Sequence, residues 1–156
     1  MLIGNFFKNV DKKYKEHYFS GISFNSITCK KNNIFFAIKG NKIDGNKFIS
    51  SAIKKGAKTI ISNKKFEGVK NSILFLRSSN VRKVLSETAY AICRNKPKNL
   101  VAVTGTNGKS SIADFYFQIL KFNKIKAASI GTLGINTTGY KNKVSKLLEF
   151  CSKNYV

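Results

Sequence analysis

Histidine and cysteine are scarce in this chain: His17 is the single histidine, and Cys29, Cys93 and Cys151 stand about 60 residues apart with no Cys-x-x-Cys pair. That poverty argues against a zinc site and fits reduced thiols in a cytoplasmic protein. Long apolar runs are absent too. Nothing approaches the roughly 18 residues of a membrane-spanning helix, and "MLIGNFFKNVDKKYKEHYF" has neither an apolar leader core nor a small-residue cleavage site, so neither a membrane span nor a secretory leader is expected. Proline occurs once, at Pro97, and no internal repeat or low-complexity block is evident.

Acidic residues are few as well, 7 against 29 Lys and Arg, for a formal net charge of +22. Such an excess suits nucleic acid or an anionic surface, because clustered cations release counterions from phosphate backbones. Yet 26 of the cations are Lys and only three are Arg, scattered among 17 Asn and 17 Ile. Lys, Asn and Ile share A/T-rich codons, so a biased genome accounts for the profile without a ligand. Arg, the residue suited to base edges, is nearly missing. The expectation is therefore no specific nucleic acid and no membrane partner, with a non-enzymatic basic nucleotide- or nucleic-acid-binding protein as the alternative.

What is present is hydrophobic patterning over 156 residues, 42% of them apolar, enough for one full domain and part of a second. Ile34 to Ile38 read as a buried strand closed by Gly40. In "DGNKFISSAIKKGAKTIIS" Phe48, Ile49, Ala52 and Ile53 fall at helical spacing, Asp44 or Asn46 can cap the start, Gly56 suits a left-handed C-terminal position, and "AKTIIS" is the next strand. A strand, a helix and a strand with short links predict a βαβ unit. Another strand is expected around Ile73 to Leu76, then a helix capped by Ser79 or Asn80 whose inward face is Val81, Val84, Leu85, Thr88, Ala89 and Ile92. The lysine-rich link around Pro97 predicts a boundary between domains 1–97 and 98–156.

Beyond that link comes "LVAVTGTNGKSSIADFYFQIL". Val101 and Val103 predict a strand, "TGTNGKSS" a turn, and Ile112, Phe115, Tyr116, Ile119 and Leu120 the apolar stripe of a helix. A glycine-rich loop between strand and helix can wrap a nucleotide phosphate. Gly105 and Gly108 let the backbone turn its N–H groups inward, Lys109 reaches the terminal phosphates as a point charge, and Ser110 is the expected hydroxyl ligand of Mg²⁺. The strict G-x-x-x-x-G-K-[ST] pattern is not met, because Val103 stands five residues before Gly108. The expected nucleotide-phosphate-binding set is Gly105, Thr106, Asn107, Gly108, Lys109, Ser110 and Ser111, with Lys109 also the expected catalytic residue and Mg²⁺ the expected metal.

"AVTGTNGKSS" resembles the ATP loop of the Mur ligases, the cytoplasmic enzymes that add amino acids one at a time to UDP-N-acetylmuramic acid in peptidoglycan synthesis. Upstream, "GISFNSITCKKNNIFFAIKGNKIDGNKFISSAIKKGAKTIIS" is similar to the N-terminal UDP-binding domain of the MurE and MurF types. Asn107 and "SIGTLGIN" look like the MurE type, with a MurF-type ligase the nearest alternative. The resemblance covers roughly residues 20 to 144. It implies an α/β fold: the UDP-binding domain, then the first strand, phosphate loop, helix and strand of a parallel-sheet ATP-binding domain. It also implies that Phe24 and Ser26 contact the uridine end of a UDP-MurNAc-peptide, and that Asn41, Lys42 and Ile43 lie along its pyrophosphate and ribose. Asn25 and Ile27 depart from the family's Asp and Arg on either side of Ser26.

The implied reaction is addition of the third residue, diaminopimelate or lysine, to UDP-MurNAc-L-Ala-D-Glu by way of an acyl phosphate. The MurE pattern continues with a Thr-Thr-Pro stretch, a Mg²⁺-binding glutamate, a carbamylated lysine and an amino-acid-selecting domain. Here "KVSKLLEFCSKNYV" closes the chain, with Val144, Leu147, Leu148 and Cys151 on one face of an expected short helix. The resemblance therefore implies an N-terminal fragment that does not ligate by itself.

Overall fold

The computed structural model describes residues 1–138 except Asn9, Lys42, Arg94 and Asn95; the helix expected at Val144, Leu147, Leu148 and Cys151 lies outside the described residues. The chain divides into two units, Met1–Arg94 and Asn95–Val156.

Unit 1 is built from β1 (Gly21–Ser23), β2 (Asn33–Phe36), α1 (Ile49–Lys54), β3 (Thr59–Ser62), β4 (Gly68–Lys70), β5 (Ile73–Arg77) and α2 (Val81–Ile92). The strands form one sheet in the order β1-β2-β3-β5-β4. Four of them run parallel, in registers such as Ile22 with Ile34, Ile34 with Thr59 and Thr59 with Leu74. Only β4 is antiparallel, hairpinned onto β5 at the edge. Continuous apolar runs are what a parallel sheet covered on both faces requires, since alternate side chains serve opposite layers. Ile34, Phe36, Ile61, Leu74 and Leu76 project to the face covered by α2, through Val81, and by the N-terminal residues Ile3 and Phe19. Phe35, Ala37, Ile60 and Ile73 project to the other, under Ala52 and Ala57.

The helix after β2 is shorter than its periodicity suggests: Gly45–Phe48 form a 3-10 turn before the α-helical Ile49–Lys54. Asp44 supplies the cap, its carboxylate accepting from the Asn46 amide at 2.9 Å. Gly56 ends the segment at φ +102, where a Cβ would also stand 2.8 Å from Lys31 Cα, so that position needs glycine twice over. Asn80 caps α2, accepting from the Lys83 amide at 3.0 Å. Val81 and Thr88 are buried and Val84, Leu85 and Ile92 half-buried on the inward face.

Unit 2 contains α3 (Lys109–Phe122) and a hairpin of β6 (Ala128–Gly131) and β7 (Gly134–Thr137). Two expectations need correction here. Residues 100–104 form no strand, and Leu100 and Val101 are 87% and 59% exposed; among the described residues no strand lies beside them to complete a ladder. The stripe of α3 is also uncovered, with Ile112, Phe115, Tyr116 and Ile119 all exposed, and the buried residue of the helix is Phe117. The strand that the resemblance implies after the phosphate-loop helix is present as β6, but it pairs antiparallel with β7 and not in a parallel sheet. Among the described residues no helix is long and apolar enough to cross a membrane.

Candidate functional site

In unit 2 the loop 105–108 leads straight into α3. Gly105 sits at φ +143 and Gly108, the residue before the helix, at φ +75, conformations that side chains other than glycine rarely adopt. No side chain caps α3 at Gly108, and the first intrahelical bond there runs from the Ile112 amide to Gly108 O at 3.0 Å. The leading N–H groups and the positive end of a helix dipole are thus left for an anion. Lys109 curls back over the loop, its ammonium donating to Gly105 O and, at 2.8 Å, to Thr106 O. An ammonium has three donors. Two of them fix its position over the loop and leave the third for a phosphate oxygen.

Ser110, in the first turn of α3, shares a 2.7 Å hydrogen bond with Thr132 Oγ1. Thr132 and Leu133 are the two residues that turn β6 into β7. Together with Ala113, Asp114, Ser129 and Asn136 these hydroxyls line a small cleft of about 20 Å³. Asp114 accepts from Gln118 Nε2 at 2.6 Å. Thr106, Asn107 and Ser111 are exposed along the loop and the start of the helix. Among the described residues no three His, Cys, Asp or Glu side chains gather as a metal site. The hydroxyl that directly follows the lysine of a phosphate loop is nevertheless a position suited to Mg²⁺, which keeps several waters and takes its other ligands from substrate phosphates and carboxylates.

In unit 1 the other expected residues follow the carboxyl ends of β1 and β2, which are neighbours in the sheet. Loops leaving adjacent parallel strands emerge at one edge, where ligands of open α/β sheets bind. After β1, Ser26 is buried and Phe24 is 51% exposed. Asn25 Oδ1 accepts from the Ile27 amide at 2.9 Å and Ser23 Oγ donates to Asn25 O at 2.7 Å. An asparagine thus closes this turn as an aspartate would. Ile27 is 78% exposed and brings no charge to the edge. After β2, Asn41 and Ile43 are exposed; Lys42 lies outside the described residues. Asp44 is held below the usual carboxylate range by hydrogen bonds from the Asn46 main chain and then its side chain. Asn46 Nδ2 also donates to Asn63 Oδ1, just after β3, at 3.0 Å.

Thr132 and the Asn46–Asn63 link have no role in the motif reading. Both sit at positions that a sequence could flag, one within "SIGTLGIN" and one directly after a strand, yet the pairings cross 22 and 17 residues and need the fold to appear.

A family model described as "Mur ligase family, catalytic domain" matches residues 18–93, which lie within unit 1 and stop short of the phosphate loop. The UDP-N-acetylmuramoyl-L-alanyl-D-glutamate–2,6-diaminopimelate ligase of Rickettsia montanensis is 38% identical over 95% of this chain and 30% of its own length. The ligase of the same name from Clostridium tetani is 43% identical over 72% of this chain and 24% of its own. A solved structure of such a ligase superposes with a TM-score of 0.74 at 22% identity, over 98% of this chain and 33% of that one. A MurF ligase from Thermotoga maritima in complex with ADP gives 0.51 at 29% identity, over 65% of this chain and 23% of that one. The chain belongs to the Mur ligase family, with the greater likeness to the MurE type. It spans about 30% of the length of the curated relatives it matches.

Proposed function

We propose that unit 2 binds the phosphates of ATP and that unit 1 binds the UDP end of UDP-MurNAc-L-Ala-D-Glu, as the nucleotide-loop and substrate-binding parts, joined through the link around Pro97, of a cytoplasmic ligase that adds diaminopimelate or lysine. The observation that carries the reading is the Lys109 ammonium, anchored on Gly105 O and Thr106 O beside a helix start that no side chain caps. Backbone N–H groups from Gly105 to Ser111, with the Thr106 and Asn107 amides among them, cradle the phosphates, Lys109 neutralises their charge, and Ser110 holds Mg²⁺. ATP with its metal supplies the activation of the substrate carboxylate. The chain's own residues orient it, and catalysis of this kind rests on charge arranged in advance. At the edge of unit 1, Phe24 offers its ring to uracil, Ser26 contacts the same uridine end, and Asn41, Lys42 and Ile43 follow the ribose and pyrophosphate.

Ligation also needs the amine held in attack geometry, and the residues assigned here bind only phosphates and the UDP end. The 156-residue chain alone is expected to give no ADP release above background with UDP-MurNAc-L-Ala-D-Glu and either amino acid. Turnover that disappears in Lys109→Ala would contradict that. Titration at physiological salt should favour the UDP-peptide over duplex DNA. Tight DNA binding with a steep salt slope, and none of the UDP-peptide, would instead mark a basic nucleic-acid-binding protein.

A further inference from the structure

Ser110 can serve a metal only if its lone pairs face the ion and its proton points elsewhere, because a hydroxyl carries one donor and two acceptor positions. A cation close to the oxygen repels that proton, so an acceptor must already stand on the far side. The usual refuge for a serine in a helix is a carbonyl one turn back. Here the carbonyl four residues back, Thr106 O, is engaged by the Lys109 ammonium at 2.8 Å. Thr132 Oγ1 lies 2.7 Å from Ser110 Oγ.

The place of Thr132 is set by the hairpin and not by the loop it serves. Four cross-strand pairs, from Ala128 with Thr137 to Gly131 with Gly134, hold β6 against β7, and β6 packs on α3. The turn therefore presents its hydroxyl to the first turn of the helix from outside the phosphate loop. Asp114, one turn further along α3, lines the same cleft, and its Oδ2 accepts from Gln118 Nε2; the bond that Ser110 Oγ makes runs to Thr132. Among the described residues, Thr132 is thus the hydroxyl partner that the structure gives to Ser110.

We propose that Thr132 is a positioning residue for the metal: it accepts the Ser110 proton and so keeps the Ser110 oxygen turned toward the Mg²⁺ that accompanies ATP. This rests on the phosphate-loop reading above. Groups that orient a metal ligand govern metal affinity without touching the ion, so its signature is a change in how far Mg²⁺ strengthens nucleotide binding.

The test titrates the full chain with ATP, once with Mg²⁺ and once with EDTA, following the backbone amides of the loop by NMR. Thr132→Val keeps the branched shape and removes the acceptor; Thr132→Ser keeps the acceptor. Thr132→Val should lower the Mg²⁺-dependent gain in affinity about tenfold while leaving affinity in EDTA unchanged, and Thr132→Ser should restore the gain. A full Mg²⁺ gain in Thr132→Val would overturn the proposal, and so would equal losses with and without metal, which mark simple support of the loop. If the unmodified chain binds ATP with no Mg²⁺ gain, this proposal falls and the phosphate loop stands. If it binds no ATP in either condition, both fall.

Discussion

Ile34, Phe36 and Ile60 in unit 1 are fully enclosed, while Ile112, Phe115, Ile119 and Phe122 in unit 2 are 57%, 64%, 59% and 88% exposed. Both sets come from segments with a clear apolar pattern. In unit 1 each face of the parallel sheet has a cover, α2 and the N-terminal residues on one side and α1 on the other. In unit 2 the described residues place a two-stranded hairpin against α3 and nothing against its apolar stripe. Full burial of such a side chain is worth about 1.5–3 kcal/mol, and these four forgo more than half of it. A hydrophobic period tells which face of an element seeks cover, and a partner elsewhere decides whether it finds any.

The contrast is broken most severely from inside unit 1. Phe36→Ala leaves a cavity in a fully enclosed layer and should cost about 3–5 kcal/mol, a large part of the 5–15 kcal/mol or so typical of a whole domain. Denaturant unfolding read from unit 1 amides checks it.

A finished frame should also show its value at the ligand edge. Phe24→Ala removes an exposed ring without disturbing the core, and it should weaken UDP-peptide binding by about 1–3 kcal/mol if the ring stacks on uracil as aromatic side chains stack on bases. Calorimetric titration would show this with the melting of unit 1 unchanged.

Acid should loosen the same edge. The folded pKa of Asp44 is depressed by its bonds from Asn46, so its stabilising contribution is present above the ordinary aspartate range near 4 and is lost as pH falls through the lower folded value. An NMR pH titration should find the Asn46 amide responding below pH of about 4 and the loop loosening there. A midpoint at or above the ordinary value would reverse the sign.

The smallest effect belongs to unit 2. Ile119→Ala on the open stripe of α3 should change stability by no more than about 0.5 kcal/mol, as at other exposed positions. A loss of several kcal/mol would mean that this face is covered in solution and would remove the contrast between the units.

The legible parts of the fold were those with a long or doubly marked pattern. The apolar run at β2, "TIIS" at β3, the Asn80 cap with the six-residue stripe of α2, and the glycine-lysine loop all appear where the residues suggest. Three-residue strands escaped, because Gly21–Ser23 and Gly68–Lys70 are too short to display a period. Residues 100–104 read as a strand because Val101 and Val103 alternate, but a strand exists only through its neighbours, and alternation does not report whether a neighbour is present. The helix after β2 carried a helical period through a stretch that closes first as a 3-10 turn, since Asp44 binds the Asn46 amide two residues on. At the candidate site the loop residues were visible as a contiguous string, while Thr132 was not, being brought to Ser110 by a hairpin 22 residues away.

The most direct test of the account is an ATP titration of the chain with Lys109 intact and with Lys109→Ala, recorded residue by residue on the backbone amides. The account predicts weak binding in which the amides of Gly105, Gly108, Lys109 and Ser110 shift together while those of the unit 1 sheet stay fixed. Lys109→Ala should weaken that binding by about 1.5–3 kcal/mol, the range for hydrogen bonds to charged groups. Shifts spread over the scattered surface lysines and indifferent to Lys109→Ala, or no shift at the loop up to millimolar ATP, would contradict the assignment of the loop as a nucleotide-phosphate site.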